Sequence, residues 1–425
     1  MQMMMMTLLP FSSLKNSQQG RKAVHQEGHH RQFRLSGTFI SLAATLTITM
    51  LSQHCYGALR LLHFSRIPVL VVSSADAARD VLKMHYRFFA SHPQNKIFEK
   101  LLYDGHDVAS APYGKHWRQM RSVSVIHLLS NKKRQRDQDN DGKDPAVSYL
   151  PVNLSKLLTS FTNDVICRVS LGVKYSGDKD FKELINSLTR LLVEKTRNDF
   201  DEFLERVFQD HEDGNGDRTD FVDVLLTIQR EKSMVFEIER RSIKGIILDV
   251  FVGGTDIISV LMEWAMTEFL NHPTCLKRLQ EEVHMICKGR SSVSEEYIED
   301  IKYLKAVTKK TLRLHPPLPL MAPHLSTVDV RLGDYHIPVG TQVIIIRREA
   351  TTWGIHAEEF RPESDRLKIS ITWISFAEVL NEVALANLML GFDWQSTEDP
   401  TDVVESNGSV IHRMFPLYAL ASSTT

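Results

Sequence analysis

Gly253, Gly254, Thr255 and Asp256 place a hydroxyl and a carboxyl directly after two residues that weaken helices. They interrupt an otherwise apolar run, SIKGIILDVFVGGTDIISVLMEWAMTEFLNHP, residues 242–273. Two glycines in a helix interior cost about 1 kcal/mol each relative to alanine. The pattern therefore implies that something approaches the backbone closely at that point. A buried acid also needs a partner or a task. Two readings fit these residues. One is a tight crossing with another helix. The other is a groove over a flat ligand, with Asp256 handling protons beside Thr255.

Trp117 and Arg121 lie one turn apart in APYGKHWRQMRSV, residues 111–123. An indole N–H and a guanidinium on one helix face can both reach an anionic group, and they also suit a plain half-buried face. In KKTLRLHPPLPL, residues 309–320, Arg313 follows Lys310 by one turn, and Pro316 and Pro317 stop the helix. Like charges at that spacing repel. No acid occurs between Ile301 and Arg313, although an arginine before such a stop usually makes a planar, bidentate pair.

Asp137, Asp139, Asp141 and Gly142 match the first half of a calcium loop. Its twelfth position is Ser148 and Pro145 breaks the exit helix, so a solvated acidic loop is the reading and no metal site is expected. The four cysteines, Cys55, Cys167, Cys275 and Cys287, have no CxxC spacing. That favours reduced thiols in a cytosol-facing protein.

The elements that must position these residues are mostly helical. LLHFSRIPVLVVSS (61–74) reads as two short strands around Pro68, and ADAARDVLKMHYRFF (75–89) as a helix. The run 242–273 predicts one long buried helix, roughly 45 Å at 1.5 Å per residue. Pro273 opens an amphipathic helix to about Cys287, and another is expected from about Tyr297 to Leu314. RLGDYHIPVGTQVIII (331–346) predicts a hairpin, and SFAEVLNEVALANLMLGF (375–392) a late helix. Residues 132–146 and 210–220 read as polar loops.

The chain of 425 residues has a formal net charge of -1, which gives no reason to expect nucleic acid as a partner. Residues 1–34 are Met-rich and then polar and basic. From Leu35 to Leu59 no residue carries a full charge, long enough for a bilayer span of about 20 residues but dotted with Ser and Thr. A membrane anchor and a buried or disordered segment both fit. The expected fold class is mainly α with a small β part. An N-terminal segment, 1–56, precedes a single domain, 57–425.

The order of these pieces, PYGKHWRQMR, GGTD in a long helix, TLRLHPPLPL and FRPE, resembles the cytochrome P-450 superfamily of haem-thiolate monooxygenases. Local wording such as LPVNLSKLLTSFTNDVICRVSLG, DFVDVLL and HRMFPLYA looks like its plant microsomal branch. The resemblance runs from about Gly57 to Pro416. It implies a P-450-like fold and hydroxylation of a small lipophilic metabolite with O2 and electrons from an NADPH-cytochrome reductase. It also implies haem as cofactor and an endoplasmic reticulum membrane location with the catalytic part facing the cytosol. Trp117, Arg121 and His324 match positions that hold the haem propionates, Gly253 and Gly254 the haem-facing glycines, and Asp256 the family's acid.

The sequence departs from that family at several positions. Lys310 stands where the family has the glutamate of Glu-x-x-Arg, while Arg313 matches. In Pro362-Glu363-Ser364 the acid Glu363 is kept but Ser364 replaces the arginine of the same ion network. An uncompensated buried charge costs roughly 3–5 kcal/mol. Ile257 replaces a threonine near the oxygen site, and Leu191-Leu192 runs almost directly into VEKTRNDFDEF, omitting a stretch over the substrate entrance. The ligand loop Phe-x-x-Gly-x-Arg-x-Cys-x-Gly has no counterpart in SDRLKISITWISFAEVL, residues 364–380. The resemblance thus implies a chain that is inactive as it stands. The alternative is a haem-free binding protein for an apolar small molecule under Gly253 and Gly254.

Overall fold

Branched apolar residues make Leu59–Phe64 and Ile67–Val72 an antiparallel pair in which Val69–Val72 are all buried. Pro68 lies inside the second strand opposite His63. It precedes Val69, where pairing with the next strand begins, so its missing N–H breaks no ladder on that side. This computed structural model describes residues 33–35, 58–64, 66–94, 102–128, 151–175, 181, 184, 193–214, 220–231, 236–346, 359–362, 374–397, 403–406 and 410–424. They divide into two compact units, Met1–Ala90 with Pro323–Glu349, and Ser91–Ala322 with Ala350–Thr425.

The first unit is built on a five-stranded sheet in the order Phe33–Leu35, Leu59–Phe64, Ile67–Val72, Gln342–Ile345, His324–Leu325. The expected helix over 75–89 is divided. Helix α1 (Ala75–Arg79) is capped by Ser74, whose Oγ accepts from the Ala77 N–H at 3.2 Å. A π turn, Asp80–Met84, separates it from α2 (Tyr86–Phe89). The expected hairpin is the pair Val330–Leu332 and Tyr335–Ile337, turning at Gly333 with φ of +57°. Gly340, at φ +79°, then turns the chain into the larger sheet, so Gln342–Ile345 leaves the hairpin.

The second unit is helical. It contains α3 (Lys115–His127), α4 (Leu154–Leu171), α5 (Val193–Asp213), α6 (Phe221–Glu231) and α7 (Arg240–Asn271). These are followed by α8 (Pro273–Ile286), α9 (Glu295–Ile298), α10 (Lys302–Leu314) and α11 (Ile374–Gly391). Strands Val152–Asn153, Tyr418–Ser423 and Phe392–Ser396 form its small antiparallel sheet. The start of the polar stretch 210–220 is helical, since α5 reaches Asp213. The single helix expected over 297–314 is two. The Glu282 carboxylate accepts from the Lys302 and Tyr303 N–H groups and caps a fresh start after Ile301.

Helix α7 is the expected long helix, and nearly every side chain from Ser242 to Leu270 is buried outside one short stretch. It is long and apolar enough to cross a membrane, but most of that apolar stretch is buried inside the protein, as in a core helix. The mainly α class with a small β part is what the structure has. The anchor segment 35–59 apart from its ends, the acidic loop 137–148, Leu191-Leu192, Glu363 and Ser364 lie outside the described residues.

Candidate functional site

The stretch within the body of α7 that is not fully buried runs from Val252 to Ile257, apart from Thr255, and its first five residues, Val252–Asp256, form a π turn. Such bulges cluster at functional sites. The two glycines there have different surroundings. A Cβ on Gly254 would lie 2.4 Å from Ile166 Cδ1 of α4, so this glycine lets the two helices cross closely and a side chain here would displace Ile166. Among the described residues, a Cβ on Gly253 would meet nothing within 4 Å. Thr255 is buried and its Oγ1 has no hydrogen-bond partner among the described residues, while its carbonyl lies 3.4 Å from Thr162 Oγ1. Asp256 is half-buried and its Oδ1 is 3.2 Å from His412 Nε2. That hydrogen bond pushes the His412 imidazole above its ordinary pKa although burial opposes it.

His412 belongs to a C-terminal segment that runs beside α7. The Trp264 indole donates to the Ile411 carbonyl at 2.9 Å, and Arg413 Nη1 donates to Thr267 Oγ1 at 3.0 Å. Below this, Glu268 meets His315 at 2.6 Å and His272 at 3.3 Å. The His315 ring stacks on Trp264, and its Nδ1 lies 3.5 Å from Glu405.

The loop before α3 is tied to α7 by a buried acid. Asp249 Oδ2 accepts from the N–H groups of Val108 and Ala109 at 2.6 and 3.1 Å. Gly245 lets that loop approach, since a Cβ there would sit 3.1 Å from the backbone of His106 and Asp107. Burial, and then the charge of Asp107, push the Asp249 carboxyl well above its usual range. The same loop uses the Trp117 N–H, which donates to the Val108 carbonyl at 2.9 Å. Arg121 lies over the Trp117 ring at 5.2 Å and is half-buried. Trp117 and Arg121 do share a face, as the sequence spacing expects, but the indole N–H is engaged within the protein.

His324 belongs to the other unit, where its ring meets the Phe89 carbonyl at 2.8 Å. Arg313 and Lys310 are both buried on α10, and neither is without a partner. Cys167 is fully buried on α4, Cys287 is buried after α8, and Cys275 sits half-buried in the first turn of α8. Cys55 lies outside the described residues.

Sequence reasoning did not single out His412, Glu268, Asp249 or Asp107. A four-residue Glu-to-His spacing in TEFLNHP was visible for Glu268 and His272. Nothing local distinguishes Asp249 or His412, whose partners lie 141 and 156 positions away.

Comparison with known proteins bears on the family and the fold. The family described as Cytochrome P450 matches residues 44–198 and 187–364. Cytochrome P450 71A26 of Arabidopsis thaliana is 58% identical, with 88% of each chain covered, and Cytochrome P450 71A23 of the same plant is 57% identical over 88% of each. Among solved structures, a zebra fish cytochrome P450 with abiraterone superposes with a TM-score of 0.76 at 22% identity, covering 89% of this chain and 99% of that one. A long central helix broken at GGTD, the HPP stop after α10 and relatives sharing more than half their residues leave one conclusion: this chain belongs to the cytochrome P450 family, in its plant 71A branch.

Proposed function

We propose that this chain is a cytochrome P450 that no longer carries thiolate-ligated haem and does not hydroxylate a substrate. The family's monooxygenation depends on haem, whose axial cysteine thiolate pushes electron density toward O–O cleavage. The observation that carries the reading is the chemistry of the available sulfurs. Residues 365–373, between FRPES and α11, contain no cysteine. Burial pushes the Cys167 thiol up to about 12 and also raises Cys287. Both side chains are packed in the hydrophobic core of the second unit, Cys167 with no exposed surface and Cys287 with almost none. Cys275 opens α8, on the far side of Pro273 from the π turn. The family match itself ends at Ser364, directly before the segment in question.

The donor set therefore does not fit the group, and no reaction step is assigned through it. By resemblance, Trp117 and Arg121 keep the role of propionate-holding residues, and Thr255 and Asp256 are assigned to the polar end of an apolar slot beside Gly253. The clearance at Gly253 among the described residues supports a second reading, a haem-free binder of a lipophilic small molecule. By membership of the plant branch we also assign an endoplasmic reticulum membrane surface as the location and an NADPH-cytochrome reductase as the ancestral partner.

The test is a reduced, carbon-monoxide-treated difference spectrum of the purified full chain after titration with haem. A haem-free protein, or a band typical of nitrogen ligation, is expected. A stoichiometric thiolate-type band overturns the proposal. A ligand-dependent rise in melting temperature of the haem-free protein with an apolar compound supports the binding reading.

A further inference from the structure

The end of α5 and the start of α6 bring three metal-ligating side chains together away from α7's π turn. His211 Nε2 lies 3.0 Å from Asp220 Oδ2 and 4.0 Å from Asp223 Oδ1. The donor atoms of all three residues fall within 4.8 Å of one another. The side chains of His211 and Asp220 are only 2% and 3% exposed, so this is not a solvated acidic patch.

The hydrogen bonds around the cluster orient it. His211 Nδ1 faces the Val207 carbonyl at 2.7 Å, and a carbonyl only accepts, so Nδ1 carries a hydrogen. A histidine held in this way presents Nε2 as the ligating atom. Asp220 Oδ1 accepts the Asp223 N–H at 3.0 Å and caps α6, which leaves Oδ2 aimed at His211. Gly172, at the C-cap of α4 with φ of +75°, closes the third side. A Cβ there would lie 2.4 Å from Asp220 Oδ2, so the carboxylate occupies space that only glycine leaves.

A nitrogen lone pair and a carboxylate oxygen at 3.0 Å require a positive charge between them. A proton meets that need for one pair and no more. It leaves Asp223, whose Oδ2 is a buried atom with no hydrogen-bond partner among the described residues. It also leaves one cation facing two anions. A divalent ion meets all three donors and balances the two carboxylates. Zinc bonds to nitrogen and oxygen at about 2.0–2.2 Å, so tetrahedral donors lie about 3.3 Å apart. The observed separations need only a modest closing movement of Asp223.

We infer that His211, Asp220 and Asp223 form a binding site for a divalent cation of the zinc class, which ties the end of α5 to the start of α6. Two carboxylates and an imidazole with no sulfur suit Zn2+ with a water in the fourth position.

The experiment titrates Zn2+ alone into the purified full chain near neutral pH, beside His211→Ala and Asp223→Asn. The chain has 18 histidines, so the comparison between chains, not total uptake, is the measurement. Wild type is expected to bind one more equivalent than His211→Ala, and Asp223→Asn to weaken that equivalent about tenfold or more. Co2+ as a spectroscopic probe should give a tetrahedral nitrogen/oxygen spectrum that both substitutions remove. Should His211→Ala fail to fold, Asp223→Asn, at a partly exposed position, decides the matter. Equal uptake by wild type and Asp223→Asn, or none at micromolar zinc, means that a proton alone holds the His211–Asp220 pair, and overturns the proposal.

Discussion

His315 Nε2 lies 2.6 Å from Glu268 Oε1, and its ring stacks parallel on Trp264 with centroids 4.1 Å apart. This contact fastens the end of α10 to α7. Burial works against charge in both residues. Even so, the His272 and His315 hydrogen bonds hold the Glu268 carboxyl at about 2. Glu268 and Glu405 in turn raise His315 above the ordinary imidazole value.

Stability should therefore depend on pH from both sides. Glu268, depressed in the folded state, contributes fully above the ordinary carboxylate pKa of 4.5, and that contribution is lost as pH falls toward about 2. His315 and His272, both raised, contribute fully below the ordinary value of 6.5 and lose it as pH climbs through their folded values. Melting temperature measured against pH should peak between these limits. Glu268→Gln should cost on the order of 3 kcal/mol near the peak and flatten the curve. A variant curve parallel to wild type would count against this assignment.

Gly254→Ala should destabilise and Gly253→Ala should not. The new methyl at Gly254 meets Ile166 Cδ1 at 2.4 Å in a packed crossing, where overpacking costs about 1–3 kcal/mol. At Gly253 the methyl meets no described residue within 4 Å, and alanine favours a helix by up to about 1 kcal/mol. Urea denaturation of the two variants separates them. Equal effects would mean that both glycines serve the same contact.

Asp256→Asn should lower the His412 titration midpoint with little change in stability. The pair is partly exposed, and such pairs contribute about 1 kcal/mol or less. Removing the carboxylate removes the main cause of the raised imidazole. An NMR titration of the His412 ring reports this directly, and an unmoved midpoint would assign the shift elsewhere.

Lys310→Glu should not raise the melting temperature by more than a few degrees. Lys310 is among the largest fully buried side chains and already has a partner. The new carboxylate would restore a Glu-x-x-Arg spacing to Arg313 but give up that existing interaction. A thermal melt checks it, and a large gain would mean that Lys310 is the principal defect of α10.

What could be read directly from the residues is local. Apolar periodicity marked α7, α8 and α11, Pro273 marked the junction of α7 and α8, the double proline marked the end of α10, and motif order identified the family. The two glycines could be recognised as a close approach, but not which one served it, because that depends on where Ile166 of α4 arrives. The division of the expected helix at Ile301 was equally hidden, since its cap comes from Glu282 on another helix. Trp117 and Arg121 were legible as a shared face. That the indole N–H would go to the Val108 carbonyl was not, because loop 106–110 is placed by Asp249 from α7. Charge pairing over long separations behaves the same way. Glu268 with His315, and Asp256 with His412, are ordinary residues in the sequence, and only the packing of distant segments against α7 brings each pair together, excluding water from the first and leaving the second partly exposed.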